Sequence, residues 1–434
     1  MTLIDARDIP ADATSRDRLN GSGLDYRVVD LSDDAAATPF LRAVGRGFLG
    51  EESTPEALAH SRQTVSQRRT TGVFETDAAS GDLPVATIDS WVTPLTVPGG
   101  AEIGMWAISG VTVAATHRRR GIARSLLEGE LRAAHGAGIA IAGLTVSEAT
   151  IYGRYGFGSA LPAVRFTVDT RRAGWGGHEP SGRLEYRERA QLVDDLATVH
   201  ERARRTRAGR IAGWAGRWEQ FAGTAPGETD RDKVRGVRHV DADGETRGVL
   251  VYTVTDRSGS FRFGLNVRML VAETADARAA LWRFALQHDL VDEVTADLQT
   301  ADDPLPWLVA DQRGVTQEVH DHGWLRVLDV ARALSARKYS VPVDLVLRIH
   351  DPLGFAAGDW RLHVDVSGVA TVEAAESAAP DAVLGVAALS SLYAGAVRAT
   401  ALAGAGLIDA EASVVDLLDR AFFTSPAPSL DIWY

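Results

Sequence analysis

The sequence predicts a mixed α/β architecture followed by an α+β segment. Three observations carry this: strand and helix patterns alternate between residues 84 and 168, a weaker copy of the strand–helix order lies near residues 265–286, and a strand-rich pattern of a different kind follows residue 321. At 434 residues the chain has room for about three domains. Its 45% hydrophobic and 24% charged residues are those of an ordinary globular protein, which argues against large-scale disorder. The absence of cysteine excludes disulfides, thiolate metal sites and cysteine nucleophiles.

Residues 1–75 read as a leader followed by helices, with Phe40, Leu41, Val44, Phe48 and Leu49 at helical spacing. Strands are expected at Pro84–Trp91, Gly104–Ile108 and Gly110–Ala114. A helix opens near Gly121 on the apolar stripe Ala123, Leu126, Leu127, Leu131 and Ala134. A strand at Ile139–Val146, a helical turn at Ile151–Tyr155 and a strand at Ala163–Val168 complete a βαβ pattern. The glycine-rich stretch Arg171–Gly182 reads as a linker or exposed loop. A helix at Glu188–Arg205 and strands at Val234–Val240, Gly248–Thr255 and Gly259–Leu270 follow, with Asp241-Ala242-Asp243-Gly244 as a hairpin turn. Leu265–Leu270 leads into Ala277–Leu286, repeating the earlier strand–helix order without its Arg/Gly-rich junction. Beyond Asp321, the run from Trp324 to Leu334 suggests a helix. Strands are expected at Val343–Ile349, Trp360–Val366 and Gly368–Glu373, and helices at Ala387–Tyr393 and Val414–Ala421.

The formal net charge of −12 disfavours a general nucleic-acid binder. It is ordinary solubility charge and also suits a cationic partner such as an amine. The N-terminal residues lack the basic and apolar regions of a signal peptide. The stretch Ala382–Val397 is too short and too polar to span a bilayer, so a cytoplasmic protein with no membrane partner is expected. The eleven histidines show no metal-ligand spacing, and no metal is expected. Arg202, Arg204, Arg205, Arg207 and Arg210 read as a solvated, cation-rich helix end rather than a nucleic-acid patch.

The chemistry-bearing stretch is Val111-Thr112-Val113-Ala114-Ala115-Thr116-His117-Arg118-Arg119-Arg120-Gly121-Ile122-Ala123-Arg124. A strand ends, a basic turn follows, and a helix opens. Such a turn aims backbone N–H groups and the positive end of the helix dipole at an anion. Gly121 and Ala123 let the backbone approach a pyrophosphate, and Arg118, Arg119 and Arg120 add charge. There is no Gly-Lys-Ser/Thr for a P-loop and no G-x-G-x-x-G for a dinucleotide site.

The order Arg118-x-x-Gly121-x-Ala123 resembles the acetyl-CoA signature of the GNAT acetyltransferase superfamily. With Ser147-Glu148-Ala149-Thr150-Ile151-Tyr152-Gly153-Arg154-Tyr155-Gly156-Phe157-Gly158, the junction closely resembles the Eis family of aminoglycoside N-acetyltransferases. The resemblance is dense over residues 104–158 and architectural elsewhere. It implies two GNAT-like mixed-sheet domains, the second degenerate, followed by a sterol-carrier-protein-like α+β domain, with boundaries at 1–170, 171–320 and 321–434. It implies acetyl-CoA as cosubstrate, held by the backbone of Val111, Thr112 and Val113 and by Arg118, Arg119, Arg120, Gly121, Ile122, Ala123, Arg124, Ser147 and Glu148. It assigns Tyr152 as the general acid that protonates the departing thiolate, while Tyr155 and Phe157 fit core aromatics better. It makes the backbone carboxylate of Tyr434, at the end of Leu430-Asp431-Ile432-Trp433-Tyr434, the base for the acceptor amine. It implies a homohexamer and a cationic amine acceptor such as an aminoglycoside, or a lysine-like amine. From the residues themselves, Phe48, Glu51 and Trp91 are the aromatic and acidic candidates for the acceptor pocket. The reading from another class is a non-catalytic CoA-sensing and lipid-binding protein, against which the intact junction and Tyr152 argue.

Overall fold

The computed structural model describes residues 3–76, 83–228, 230–257, 259, 261–375 and 378–434. The chain forms two compact units. One comprises residues 1–161, 322–428 and 433–434, and the other residues 162–321 and 429–432.

In the first unit the order begins with helix α1 (Ala13–Asn20), strand β1 (Leu24–Val28), helices α2 (Asp34–Gly47) and α3 (Pro55–Val65), then strands β2 (Arg69–Glu75), β3 (Ala86–Thr96) and β4 (Glu102–Val113). Helix α4 (Ile122–Gly136), strand β5 (Ile141–Thr145) and the short helix α5 (Ala149–Tyr152) follow. Side-chain caps set the starts of α2 and α3: the Asp33 carboxylate accepts from Ala35 N–H at the head of α2. Thr54 accepts from Ala57 N–H, with Pro55 as the first residue of α3. The strands run β1-β2-β3-β4-β5, antiparallel except for the parallel β4–β5 pair that α4 connects. Met105–Ile108 and Ile141–Leu144 are buried on both faces, as central strands of such a sheet require. The apolar stripe of α4 packs Leu126, Leu127, Leu131 and Ala134 into the same core.

Several expectations change here. The expected strands Gly104–Ile108 and Gly110–Ala114 merge into one strand, β4, which carries a bulge at Gly110–Val111 and ends at Val113. Phe48 and Leu49 lie beyond α2 and are exposed, so only the first part of that stripe is core. The run from Trp324 is a strand: Val315–Val327 ends by pairing Gly323–Val327 antiparallel with β5, and the helix begins only at Val330. An unrecognised buried polar cluster ties the sheet to α4. Glu130 accepts from Ser90 Oγ (2.5 Å) and Trp106 Nε1 (3.1 Å) and pairs with Arg69, which also donates to Thr71 Oγ1 at 2.8 Å.

Residues 343–410 of the same unit form a five-stranded sheet in the order Ala370–Ala374, Gly358–Val364, Val343–His350, Ala382–Gly385, Ile408–Ala410. Helices Val386–Leu392, Ala399–Gly404 and Ala412–Phe422 belong to this lobe. Val366, expected in a strand, is exposed beyond it.

In the second unit, strands Phe263–Ala272 and Val291–Gln299 pair in parallel across helix Ala275–Leu286, so the second βαβ unit is real. Asp241 closes the expected hairpin by accepting from the N–H groups of Asp243 (3.0 Å) and Glu245 (2.9 Å). The stretch 171–182 is more ordered than a linker: Ala173 is buried and Trp175 bridges to Val309. The five clustered arginines are all ion-paired, with Glu273, Glu201, Glu201, Asp302 and Asp431 in turn, and Arg204 and Arg210 are buried.

Candidate active site

The site begins where two parallel strands part. Pairing between β4 and β5 runs from Met105↔Ile141 to Ile108↔Leu144 and stops, while β4 continues to Val113. On its other side β4 stays paired with β3 as far as Val113↔Ala86. The edge of β4 at Val111, Thr112 and Val113 therefore faces the gap with strand-like backbone available to an extended ligand. The bulge that precedes it needs Gly110. Its φ is +60°, and a Cβ there would lie 2.3 Å from Asp89 Oδ2.

Beyond β4 the chain turns sharply into α4. His117 is buried, with Nε2 2.9 Å from Glu75 Oε1 and Nδ1 2.8 Å from Thr116 Oγ1, and so pins the turn. Arg119 and Gly121 both take left-handed backbone (φ +62° and +76°), with Arg118 extended before them. Gly121 is the N-cap of α4 and supplies no side chain to its first amides. A Cβ at Gly121 would meet nothing within 4 Å, so the space in front of those amides is open. The structure thus presents uncapped helix amides, a left-handed turn and three exposed arginines together, which is what a pyrophosphate needs. Arg120 donates to Ser22 O at 3.3 Å, and Arg124 pairs with Glu128 at 2.6 Å. Ile122 is buried and Ala123 half-buried, anchoring the helix end to the core.

β5 ends at Thr145, and the exposed Ser147 and Glu148 lead into α5, which places Tyr152. The Tyr152 ring is buried edge-on to Phe157 at 6.2 Å. Burial pushes its phenol above the ordinary value; a hydrogen bond with Ser147 opposes that rise, and the Glu148 charge adds to it. The phenol is therefore protonated at neutral pH. Ile122 and Tyr152 share one core cluster, against which Val111 and Val113 also pack, so the cradle and the tyrosine stand on one rigid base.

Tyr434 lies on β5. Its main-chain oxygen accepts from Thr145 Oγ1 at 2.7 Å, and its ring meets Trp91 edge-on at 5.4 Å. The guanidinium of Arg68 stacks on Trp91 at 3.8 Å and pairs with Asp89 at 2.8 Å. Arg68 also lines a cavity of about 930 Å³ walled by α2, α3 and the start of β2. Of the residues expected near the acceptor, Trp91 belongs to this cluster. Glu51 instead lines a separate cavity of about 730 Å³, and Phe48 is exposed. Thr145 and Arg68 were not legible as site residues, because only strand pairing and the return of the chain end bring them to Tyr434 and Trp91; Asp89, two residues from Trp91 on β3, gains its place through its pair with Arg68.

The second βαβ unit shows what the junction requires by lacking it. There the hydroxyl of Thr274 caps its own helix by accepting from Ala277 N–H, and Glu273 precedes it, paired with Arg202 and Arg247. Capped amides beside a carboxylate do not receive a phosphate.

Residues 29–160 match the Acetyltransferase (GNAT) domain family, and residues 209–327 match a second family of the same description. Residues 330–431 match the Sterol carrier protein domain family. The fold and site therefore define an N-acetyltransferase of the GNAT superfamily, a class that uses acetyl-CoA as cosubstrate. The chain is 34% identical over 422 residues to an uncharacterized N-acetyltransferase of Streptomyces griseus, covering 93% of this chain and 98% of that one. It is 34% identical over 344 residues to N-acetyltransferase Eis of Mycobacterium tuberculosis, covering 76% and 80%. Its structure is similar to that of Eis1 from Mycobacterium abscessus, with a TM-score of 0.80 and 29% identity over 94% of this chain and 100% of that one. The chain belongs to the Eis family of N-acetyltransferases.

Among the described residues, no helix is long and apolar enough to cross a membrane, and no group of three or more His, Asp or Glu could hold a metal ion.

Proposed function

We propose that this enzyme transfers acetyl from acetyl-CoA directly to a primary amine, with Tyr152 as general acid and the main-chain carboxylate of Tyr434 as base. The parting of β4 and β5 beside an uncapped α4 carries the reading, since it supplies one edge for pantetheine and one cradle for pyrophosphate. The amine nitrogen attacks the thioester carbonyl, the C–N bond forms and the C–S bond breaks. The proton lost by nitrogen passes to the Tyr434 carboxylate, and the phenolic proton of Tyr152 passes to sulfur. Holding both substrates at one strand end supplies proximity, and the buried phenol supplies the acid. No covalent enzyme intermediate is required.

The acceptor is an aminoglycoside or a lysine-like amine. Arginines outnumber carboxylates along the cavity that Arg68 lines, with Asp30 and Asp34 its acidic members. Asp30 and Asp34 are the groups in that lining that would meet an ammonium group of either acceptor. We further propose a homohexameric assembly and domain limits of 1–170, 171–320 and 321–434, on the family resemblance. Thiol release from acetyl-CoA, with kanamycin and lysine as separate acceptors and mass spectrometry of products, tests the reading. A mass gain of one acetyl group per released thiol is expected, and no amine-dependent thiol release would overturn it.

A further inference from the structure

Gly143 and Thr145 stand two residues apart on β5, so their side-chain positions share one face of the strand. Both meet the same residue. The Thr145 hydroxyl donates to the Tyr434 main-chain oxygen at 2.7 Å and accepts from the Tyr434 N–H at 3.4 Å, so one side chain brackets both main-chain polar groups. At Gly143, a Cβ would come within 3.1 Å of Tyr434 Oη and 2.5 Å of Met105 Sδ, so the missing side chain makes room for the phenol. Trp91 closes the slot against the edge of the ring.

We propose that Thr145 is a positioning residue for the proton acceptor, holding the main chain of Tyr434 in a receptor built by alternate residues of β5. The inference rests on the reading of the Tyr434 carboxylate as base. Chain ends fray unless they are tied down, and a base acts only within hydrogen-bond reach of the proton it takes. A hydroxyl bonded to one carboxylate oxygen fixes the orientation of the group and leaves its remaining lone pairs for the amine. Valine keeps the shape of threonine but leaves both main-chain groups of Tyr434 without this partner.

The test compares the full-length protein with Thr145→Val and Thr145→Ser, each with and without a short C-terminal extension. The readouts are thiol release with kanamycin and with lysine, acetyl-CoA affinity, and the rate at which carboxypeptidase frees Tyr434 from the folded protein. Without the extension, Thr145→Val is expected to lower kcat roughly ten- to a hundredfold, the scale of one hydrogen bond to a charged group. Acetyl-CoA affinity should hold, Tyr434 should be freed faster, and Thr145→Ser should behave as wild type in all three. In the extended protein, Thr145→Val should cost nothing further. Unchanged carboxypeptidase release and kcat in Thr145→Val would overturn the positioning role. So would a Thr145→Ser variant as impaired as Thr145→Val, because the methyl group would then be what matters. Faster release of Tyr434 with unchanged kcat would uphold the slot and sink the base reading instead.

Discussion

At the scale of single residues, Tyr152 and Tyr434 carry the same side chain but are proposed to act through different groups. The Tyr152 phenol, raised further by burial, stays protonated at neutral pH and is the group proposed to protonate the thiolate. The Tyr434 phenol is also buried and raised, but it fills a slot, and the proposed chemistry sits on its main chain. Tyr152→Phe preserves the ring packing against Phe157 and removes only the donor. It is expected to lower kcat by about 10²–10⁴-fold, the usual worth of a general acid, while calorimetry finds acetyl-CoA affinity within about twofold of wild type. Tyr152 stood out in the sequence because its Ile-Tyr-Gly-Arg turn resembles the family's motif; the glycine-flanked turn alone fits a core aromatic as well. Thr145 did not, because one threonine at a strand end carries no local signal of the partner it meets 289 residues away.

At the scale of elements, the decisive contrast is between two helix starts. α4 opens on Gly121 with its amides uncapped, and the matching helix of the second βαβ unit opens on Thr274 with its amides capped. Gly121→Asp would set a carboxylate in the open space where phosphate is proposed to bind. The left-handed backbone at Gly121 tolerates aspartate better than most residues. The fold is therefore expected to survive with a melting temperature a few degrees lower, while acetyl-CoA binding by calorimetry falls below detection. Unchanged affinity would remove the phosphate cradle. This junction was legible because strand, turn and helix are local patterns. The strand at Gly323–Val327 was not, since Trp-Leu-Arg-Val satisfies a helical and a strand period alike. Only its pairing with β5 decides between them, and that pairing is set far away in the chain.

At the scale of the whole molecule, residues 429–432 belong to the second compact unit while 433–434 belong to the first. Within the second unit, Asp431 is buried with its carboxylate 3.2 Å from His200 Nε2 and 3.2 Å from Arg210 Nε. Desolvation opposes its ionisation, but the Arg210 charge and the contact with His200 outweigh it and hold the carboxyl below the usual carboxylate range. Because the folded pKa is depressed, the stability it contributes is complete above the unfolded value of about 4 and is lost as pH falls below that. Asp431→Ala leaves Arg210 and His200 buried without their carboxylate and is expected to cost about 3–5 kcal/mol at neutral pH. Urea denaturation followed between pH 7 and 3 should show the gap to wild type narrowing only below about pH 4. A gap that stays constant to pH 3 would mean that the charge of Asp431 is not what stabilises this unit.

The proton leaving the amine is proposed to go to the main chain of Tyr434. The most direct measurement compares amine-dependent thiol release by two proteins that differ only in which end carries a short tag. A tag beyond Tyr434 replaces the carboxylate by a neutral peptide carbonyl and alters no side chain. The C-terminally tagged protein is predicted to lose at least as much kcat as Tyr152→Phe, with acetyl-CoA affinity retained, while the N-terminally tagged protein turns over at the wild-type rate. Equal turnover by the two tagged proteins would contradict the claim and would place the base on a side chain instead.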